Sequence, residues 1–296
     1  MPRVLLLIPF FCLAACEFEQ DADINPPIVA PKLVVVAFIS PQSDTLAVSV
    51  TLSQPVFSTY QSPNNPNGYV PPVSDATVRL SDGNREVTLP YQADAQQYEI
   101  EASALPILPG KTYTLWVSTP DGKSVRANCT VPAKTNTTID FQLRYEVDPT
   151  GLGTQERTYK IDLNWQDLPG TGDFYQVGAN TRVESTYEGT ADSEVFFVGL
   201  IFSSSTVFSD EGQDGGKFTL TNGDIGRVST RREKKIVTEV QCVLRTVDEP
   251  YYRYYQYLDK IGNELFSEPI APYTNIEGGL GVFAAYNQYT KVVPVE

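Results

Sequence analysis

The chain has no histidine, and its only methionine is Met1. Histidine is the usual general base near neutral pH and the commonest transition-metal ligand. Its absence excludes Ser-His-Asp and Cys-His triads, His-based zinc sites and an axial haem histidine. Positive charge is scarce too: 22 Lys and Arg stand against 36 Asp and Glu, a formal charge of −14. That balance opposes nucleic acid, which needs a basic footprint, and opposes adsorption to anionic lipid heads. Beyond the N-terminus no stretch is apolar enough to span a bilayer. Hydrolysis by paired carboxylates or a Ser-Lys pair stays formally open. Asp167, Asp173, Glu249 and Glu268 are the acids to screen for it, at the roughly 5 to 9.5 Å separation such chemistry needs. None is assigned a catalytic role, and the expectation is a protein without enzymatic activity, metal or cofactor.

What is present begins at the N-terminus. Arg3 supplies a short positive region, and Val4 to Leu13 is almost unbroken in apolar character. The run is too short to cross hydrocarbon, which takes roughly 20 residues, and fits a secretory signal over 1–15. Leu13-Ala14-Ala15-Cys16 reads as a lipobox, with a diacylglycerol and acyl chains such as palmitate on the Cys16 thiol. The competing readings are an ordinary signal with an incidental cysteine, or a buried N-terminal strand. Residues 16–31 read as a tether: Glu17 to Asp23 is acidic without a basic residue, and Asn25 to Pro31 is a stiff spacer. An acidic run there suits export to the cell surface, or a plain solvated linker. The expected location is the outer membrane, held by lipid, at the cell surface. Cys12 leaves with the signal, which leaves Cys129 and Cys242. Two cysteines outside the cytoplasm suggest a disulfide, and two separate buried thiols are the equal alternative.

The composition after the tether is that of a mainly β protein. Leu33 to Ile39, Leu46 to Ser53, Ala76 to Leu80, Glu86 to Tyr91, Gln97 to Glu101, Thr112 to Ser118 and Ser124 to Val131 are strand-like segments between turn residues. Seven short strands over roughly 100 residues match an immunoglobulin-like β-sandwich over 32–133. Tyr98-Glu99-Ile100, a Pro-Gly turn and Thr112-Tyr113-Thr114-Leu115 resemble the carboxypeptidase-regulatory kind of sandwich. A second β-rich domain is expected over 134–296. Its candidate strands are Ile139 to Val147, Tyr159 to Trp165, Asp173 to Glu184, Glu194 to Phe202, Lys217 to Thr221 and Lys235 to Thr246. One short helix is expected near 249–261, opened by Asp248-Glu249-Pro250 and closed by Gly262-Asn263. Tyr251, Tyr254, Tyr255, Leu258 and Ile261 share one face at helical spacing, as a core-facing stripe or as an aromatic platform.

Four further features bear on binding. Ser58 to Ser74 is long, rich in proline and asparagine, and carries Tyr60 and Tyr69, as a contact arm or as a plain insertion. With Tyr252 these tyrosines are the candidate ligand or partner contacts. Asp210-Glu211-Gly212-Gln213-Asp214-Gly215-Gly216 is acidic and glycine-rich, yet fails the EF-hand spacing at Gly212 and Thr221. It reads as a solvated hairpin tip before an irregular calcium site. Gly278-Gly279-Leu280-Gly281 lacks a Walker lysine and precedes a strand, so its glycines suit a bulge or close backbone packing. The chain has seventeen tyrosines, which suit sugar stacking as well as β cores and edges.

Tyr251-Tyr252-Arg253-Tyr254, Phe266-Ser267-Glu268-Pro269 and Asn275-Ile276-Glu277-Gly278-Gly279-Leu280-Gly281-Val282-Phe283 resemble the signature of the domain-of-unknown-function 4249 family. Lys32-Leu33-Val34-Val35, Asp75-Ala76-Thr77-Val78 and Tyr113-Thr114-Leu115 sit where that family has them, and the long Pro/Asn loop is the one departure. The resemblance implies an outer-membrane lipoprotein, with members often encoded beside TonB-dependent receptors and no catalytic residues to carry over. The leading expectation is therefore an accessory lipoprotein of a TonB-dependent nutrient transporter, active in substrate capture or gating. The other is a stand-alone glycan- or peptide-binding or adhesion lipoprotein.

Overall fold

The computed structural model describes residues 30–54, 69–150, 154–170, 172–189, 193–227, 233–263 and 271–295. The signal region, Cys16, nearly all of the tether, Tyr60 and Glu268 lie outside them. Eight strands come first: β1 (Leu33–Ile39), β2 (Thr45–Leu52), β3 (Thr77–Ser81), β4 (Glu86–Leu89), β5 (Tyr91–Gln92), β6 (Gln97–Glu101), β7 (Thr112–Ser118) and β8 (Ser124–Thr130). Seven longer or peripheral ones follow: β9 (Asp140–Thr150), β10 (Thr154–Gln166), β11 (Phe174–Tyr187), β12 (Ser193–Gly199), β13 (Val207–Ser209), β14 (Lys217–Arg227) and β15 (Glu233–Val247). The helix α1 (Glu249–Asn263) and a last strand β16 (Leu280–Pro294) complete the fold.

Alternation of side chains dictates these strands. In β1, Leu33, Val35, Ala37 and Ile39 are buried while Val34, Val36 and Phe38 are half-buried on the other face. In β11 the same two-residue period runs through 14 residues, which only an extended chain between two layers accommodates. The first sandwich packs a sheet of β16, β1, β2, β6 and β5 on one of β4, β3, β7 and β8. Its core includes Val35, Val48, Leu80, Tyr98, Tyr113, Leu115 and Phe283. The second sandwich packs β12 and β13, β11, β15 and β16 on β14, β10 and β9. Its core includes Ile161, Leu163, Trp165, Tyr175, Phe218, Val240 and Leu244.

β16 belongs to both. Leu280 to Ala285 pair in parallel with Val34 to Ile39, and Tyr286 to Pro294 pair antiparallel with Val247 to Glu239. One continuous sheet therefore spans the molecule, and Ile276, Phe283 and Ala285 complete the first core. This corrects the division into 32–133 and 134–296: the C-terminal strand crosses back, because the first sandwich lacks a neighbour for the free edge of β1 until β16 arrives. Glycine makes the parallel pairing possible. At Gly281, with φ of +103°, a Cβ would stand 2.1 Å from the Val35 carbonyl oxygen. The Gly278 to Gly281 run thus serves close backbone approach, as its sequence context suggests.

Buried tyrosine hydroxyls bind the loops of the first sandwich. Tyr98 Oη donates to the Val73 carbonyl at 2.7 Å and accepts from Ala76 N at 2.8 Å. Tyr113 Oη donates to the Pro106 carbonyl at 2.9 Å and accepts from Leu108 N at 2.8 Å. Such loop-bridging satisfies polar atoms that burial would otherwise strand. Cys129 and Cys242 form no disulfide: both are free and buried, one in each core. The pairing suggested by their compartment is corrected to two thiols packed as small hydrophobes, and burial pushes Cys242 up to about 12. No helix among the described residues is long and apolar enough to cross a membrane.

Candidate functional site

The two sandwiches meet at a waist, where β16 passes from one to the other beside a group of buried polar side chains. Asn136, fully buried, pins the crossing segment there. Its Nδ2 donates to the Gln166 carbonyl at 2.7 Å, its Oδ1 accepts from Thr138 N at 3.0 Å, and its backbone N reaches Thr246 Oγ1 at 3.2 Å. Asp248 then starts α1 as the sequence predicts. Its Oδ1 accepts from Tyr251 N at 3.0 Å, a capping bond, and its Oδ2 accepts from Ala285 N of β16 at 3.0 Å. One carboxylate thereby joins helix and shared strand, and burial pushes it up to about 7.

Acidic side chains gather a few residues away. Asp167, Asp173 and Asp210 bring carboxylate oxygens within 4.8 Å of one another. The acidic glycine-rich segment singled out in the sequence forms one wall, and the turn after β10 forms the other. Asp167 Oδ1 accepts from Tyr175 Oη at 2.6 Å, and its Oδ2 accepts from Gly215 N at 2.8 Å. Asp210 Oδ2 accepts from Gly172 N at 2.9 Å, and Asp214 Oδ1 from Gly170 N at 2.9 Å. Asp173 is raised from the usual carboxylate range by burial first, then by Asp167 and Asp210, against the opposing pull of Lys134. Oxygen ligands of this kind suit a hard divalent cation. Their bonds to Tyr175, Gly215 and Gly172 also make the trio a latch between two loops. Asp167 is 3 % exposed and engaged through both oxygens, so it does not offer substrate a free carboxylate beside Asp173.

The helix presents two aromatic faces. Tyr251 is buried, stacks on Tyr255 at 4.7 Å between ring centres, and meets Phe38 of β1 edge-on at 5.2 Å. Tyr254 and Tyr255 also lean on Phe38. This is the core-facing stripe, though it stops short of Ile261, which is 45 % exposed. On another face Tyr252 stacks on Phe174 of β11 at 4.8 Å, with 26° between the rings. Beside that pair opens a cleft of about 580 Å³, bordered by Ser209, Glu211, Glu249, Arg253, Gln256, Tyr257, Lys260 and Tyr273. Glu249 and Arg253 form an ion pair one helical turn apart, and Gln256 Nε2 donates to Tyr252 Oη at 3.1 Å.

Of the candidate contacts, Tyr252 therefore lines a cleft. Tyr69 is half exposed, donates from its Oη to Gln96 Oε1 at 3.2 Å on the first sandwich, and does not line that cleft. Sequence reasoning placed Glu249 among acids to screen and Glu211 in an acidic turn, and passed over Phe174 and Gln256; these residues reach the cleft from elements far apart in the chain. The local signal was the helical spacing of Tyr251, Tyr254 and Tyr255, which leaves Tyr252 off the core stripe.

The family profile described as "Domain of unknown function (DUF4249)" matches residues 17–292. No curated protein matches the chain. Among solved structures, one from work on host cell surface retention of a 1.5-MDa bacterial ice-binding adhesin shares 10 % identity. It covers 90 % of this chain and 98 % of its own, with a TM-score of 0.20. The BSP domain of a biofilm associated protein shares 6 % identity over 88 % of this chain and 58 % of its own, with a TM-score of 0.15. Its B domain shares 7 % over 87 % and 85 %, with a TM-score of 0.15. Scores this low carry no argument about fold or function.

Proposed function

The chain belongs to the domain-of-unknown-function 4249 family, and we propose that it works as a non-enzymatic outer-membrane lipoprotein accessory to a TonB-dependent nutrient transporter. The observation that carries this reading is where the chain enters the fold. Leu33 pairs with Leu52, and its neighbour Val34 pairs with Leu280 at the start of β16. The entry point is therefore the end of the first sandwich that faces away from the second. A lipid on Cys16, joined through residues 17–31, attaches at that end and leaves the waist cleft and the second sandwich free to meet a receptor and its ligand. The lipobox and the acidic segment after it support surface attachment, and the absence of histidine supports binding over catalysis.

The test is isolation of the tagged lipoprotein from native membranes in mild detergent, with co-purifying proteins identified by mass spectrometry. The expected result is a near-stoichiometric TonB-dependent receptor, with membrane attachment lost in Cys16→Ser. Recovery of the lipoprotein alone at endogenous expression, even after cross-linking, would sink the reading. A stand-alone binding lipoprotein is then the second reading, and the aromatic cleft at the waist is what favours it.

A further inference from the structure

The cleft along α1 combines three properties. Its lining is rich in aromatics, with Tyr252 stacked on Phe174 and with Tyr257 and Tyr273 among the other lining residues. Its rim alternates acceptors and donors: Glu211 and Glu249 face the same opening as Arg253 and Lys260, and Gln256 supplies both kinds of group. Its volume, about 580 Å³, falls within the roughly 300 to 1,000 Å³ of small-molecule sites. Opposite charges on one rim leave little net field, so neither an anion nor a cation is favoured. A phosphate would meet Glu211 and Glu249, and a wholly apolar ligand would strand the charged rim without water. An extended peptide draws affinity from a free strand edge, and strands give this opening only two residues, Phe174 at the start of β11 and Ser209 at the end of β13. A sugar ring matches all three properties. Its C–H faces lie flat on aromatic rings, and each hydroxyl both donates and accepts.

We propose that the cleft between α1 and β13 binds a neutral saccharide, with Tyr252 and Tyr257 as stacking residues and Glu211, Gln256 and Lys260 as hydroxyl partners. The proposal rests on the ligand-capture part of the reading above and gives it a substrate class. Its described walls belong to α1, the ends of β11 and β13, and the segment leading into β16.

The test is calorimetric titration of the full lipidated protein in detergent with maltohexaose, cellohexaose, laminarihexaose and mannohexaose, and with a hexa-alanine peptide. At least one saccharide should bind. Tyr252→Ala and Tyr257→Ala should each weaken that binding by roughly ten-fold, the scale of one lost aromatic contact. Tyr252→Phe keeps the ring and should stay within about two-fold, which separates lost stacking from lost folding. Tyr69→Ala, on the first sandwich, should change nothing. Binding of no saccharide, equal binding by the alanine variants, or binding of the peptide alone would each overturn the proposal. The outcome is independent of receptor co-purification. A receptor without saccharide binding would refute the cleft and keep the accessory role, and saccharide binding without a receptor would do the reverse.

Discussion

The two sandwiches share a strand yet are built differently. The first uses strands of two to eight residues, and its buried hydroxyls from Tyr98 and Tyr113 donate to backbone carbonyls. Apart from the shorter β12 and β13, the second uses strands of 11 to 15 residues around an aromatic core, where Trp165 stacks on Phe218 at 5.3 Å. Its buried hydroxyl, from Tyr175, donates to the Asp167 carboxylate. The contrast lies in the buried tyrosines: those of the first sandwich close loops with neutral bonds and that of the second with a carboxylate, while the first uses Asp82 to cap the turn between β3 and β4 through Asn84 N and Arg85 N.

The comparison breaks first at the shared strand. Gly281→Ala places a Cβ against the Val35 carbonyl at positive φ and should cost about 3 kcal/mol or more. Gly83→Ala, also at positive φ but with nothing within 4 Å, should cost only about 1 to 2 kcal/mol. Denaturant titration of both variants measures the gap, and equal losses would show that the close approach of β16 to β1 is unimportant.

Phe283→Ala should cost roughly 3 to 5 kcal/mol, since Phe283 is fully buried in the first core. The chain offers one tryptophan per sandwich as reporter. Trp116 lies on the outer face of the first, between Arg79 at 5.7 Å and Arg126 at 5.5 Å, and Trp165 lies in the core of the second. Single-tryptophan backgrounds should both report one common transition. Two separated transitions would mean that β16 does not couple the halves.

Tyr175→Phe removes the donor to a buried carboxylate and should cost about 1.5 to 3 kcal/mol, whereas Tyr113→Phe removes a neutral bond worth about 0.5 to 1.5 kcal/mol. Equal losses in thermal unfolding would erase the distinction between the two loop-closing schemes.

The smallest effect concerns Asp248. Its folded value is about 7, above the ordinary carboxylate range, because burial disfavours the charge. Its contribution is full below the ordinary value and fades as pH rises through about 7. Stability should therefore fall between about pH 4 and pH 7, and Asp248→Asn, which keeps a capping side chain, should flatten that slope. An unchanged slope would assign the pH dependence to other groups, with Asp173, also raised by burial, next in line.

Much of the fold was legible because strand periodicity is local. Leu33 to Ile39, Gln97 to Glu101 and Thr112 to Ser118 agree with their strands at both ends, and the helix was announced by its cap. The long-range partners were not legible. Nothing near Val34 says that its neighbour is Leu280, and the glycines of 278–281 signal close approach without naming what approaches. The acid trio follows the same rule. Asp167 and Asp173 lie on one loop and Asp210 on another, so sequence displayed two acidic turns while only tertiary structure joined them. Tyr252 stood out in the sequence but its stacking partner Phe174 did not, because nothing near the start of β11 names the helix it meets.

β16 also decides how the molecule carries a pull. A force applied through Lys32 acts along the axis of β1, whose neighbours on both sides, β2 and β16, hold it by backbone hydrogen bonds running across that axis. The bonds are then loaded together, in shear, and not opened one after another like a zip. Beyond Ala285 the load passes along β16 itself into the second sandwich, a single strand of 15 residues and about 50 Å at the usual rise. Drag on the far sandwich is thus resisted by whole ladders at once.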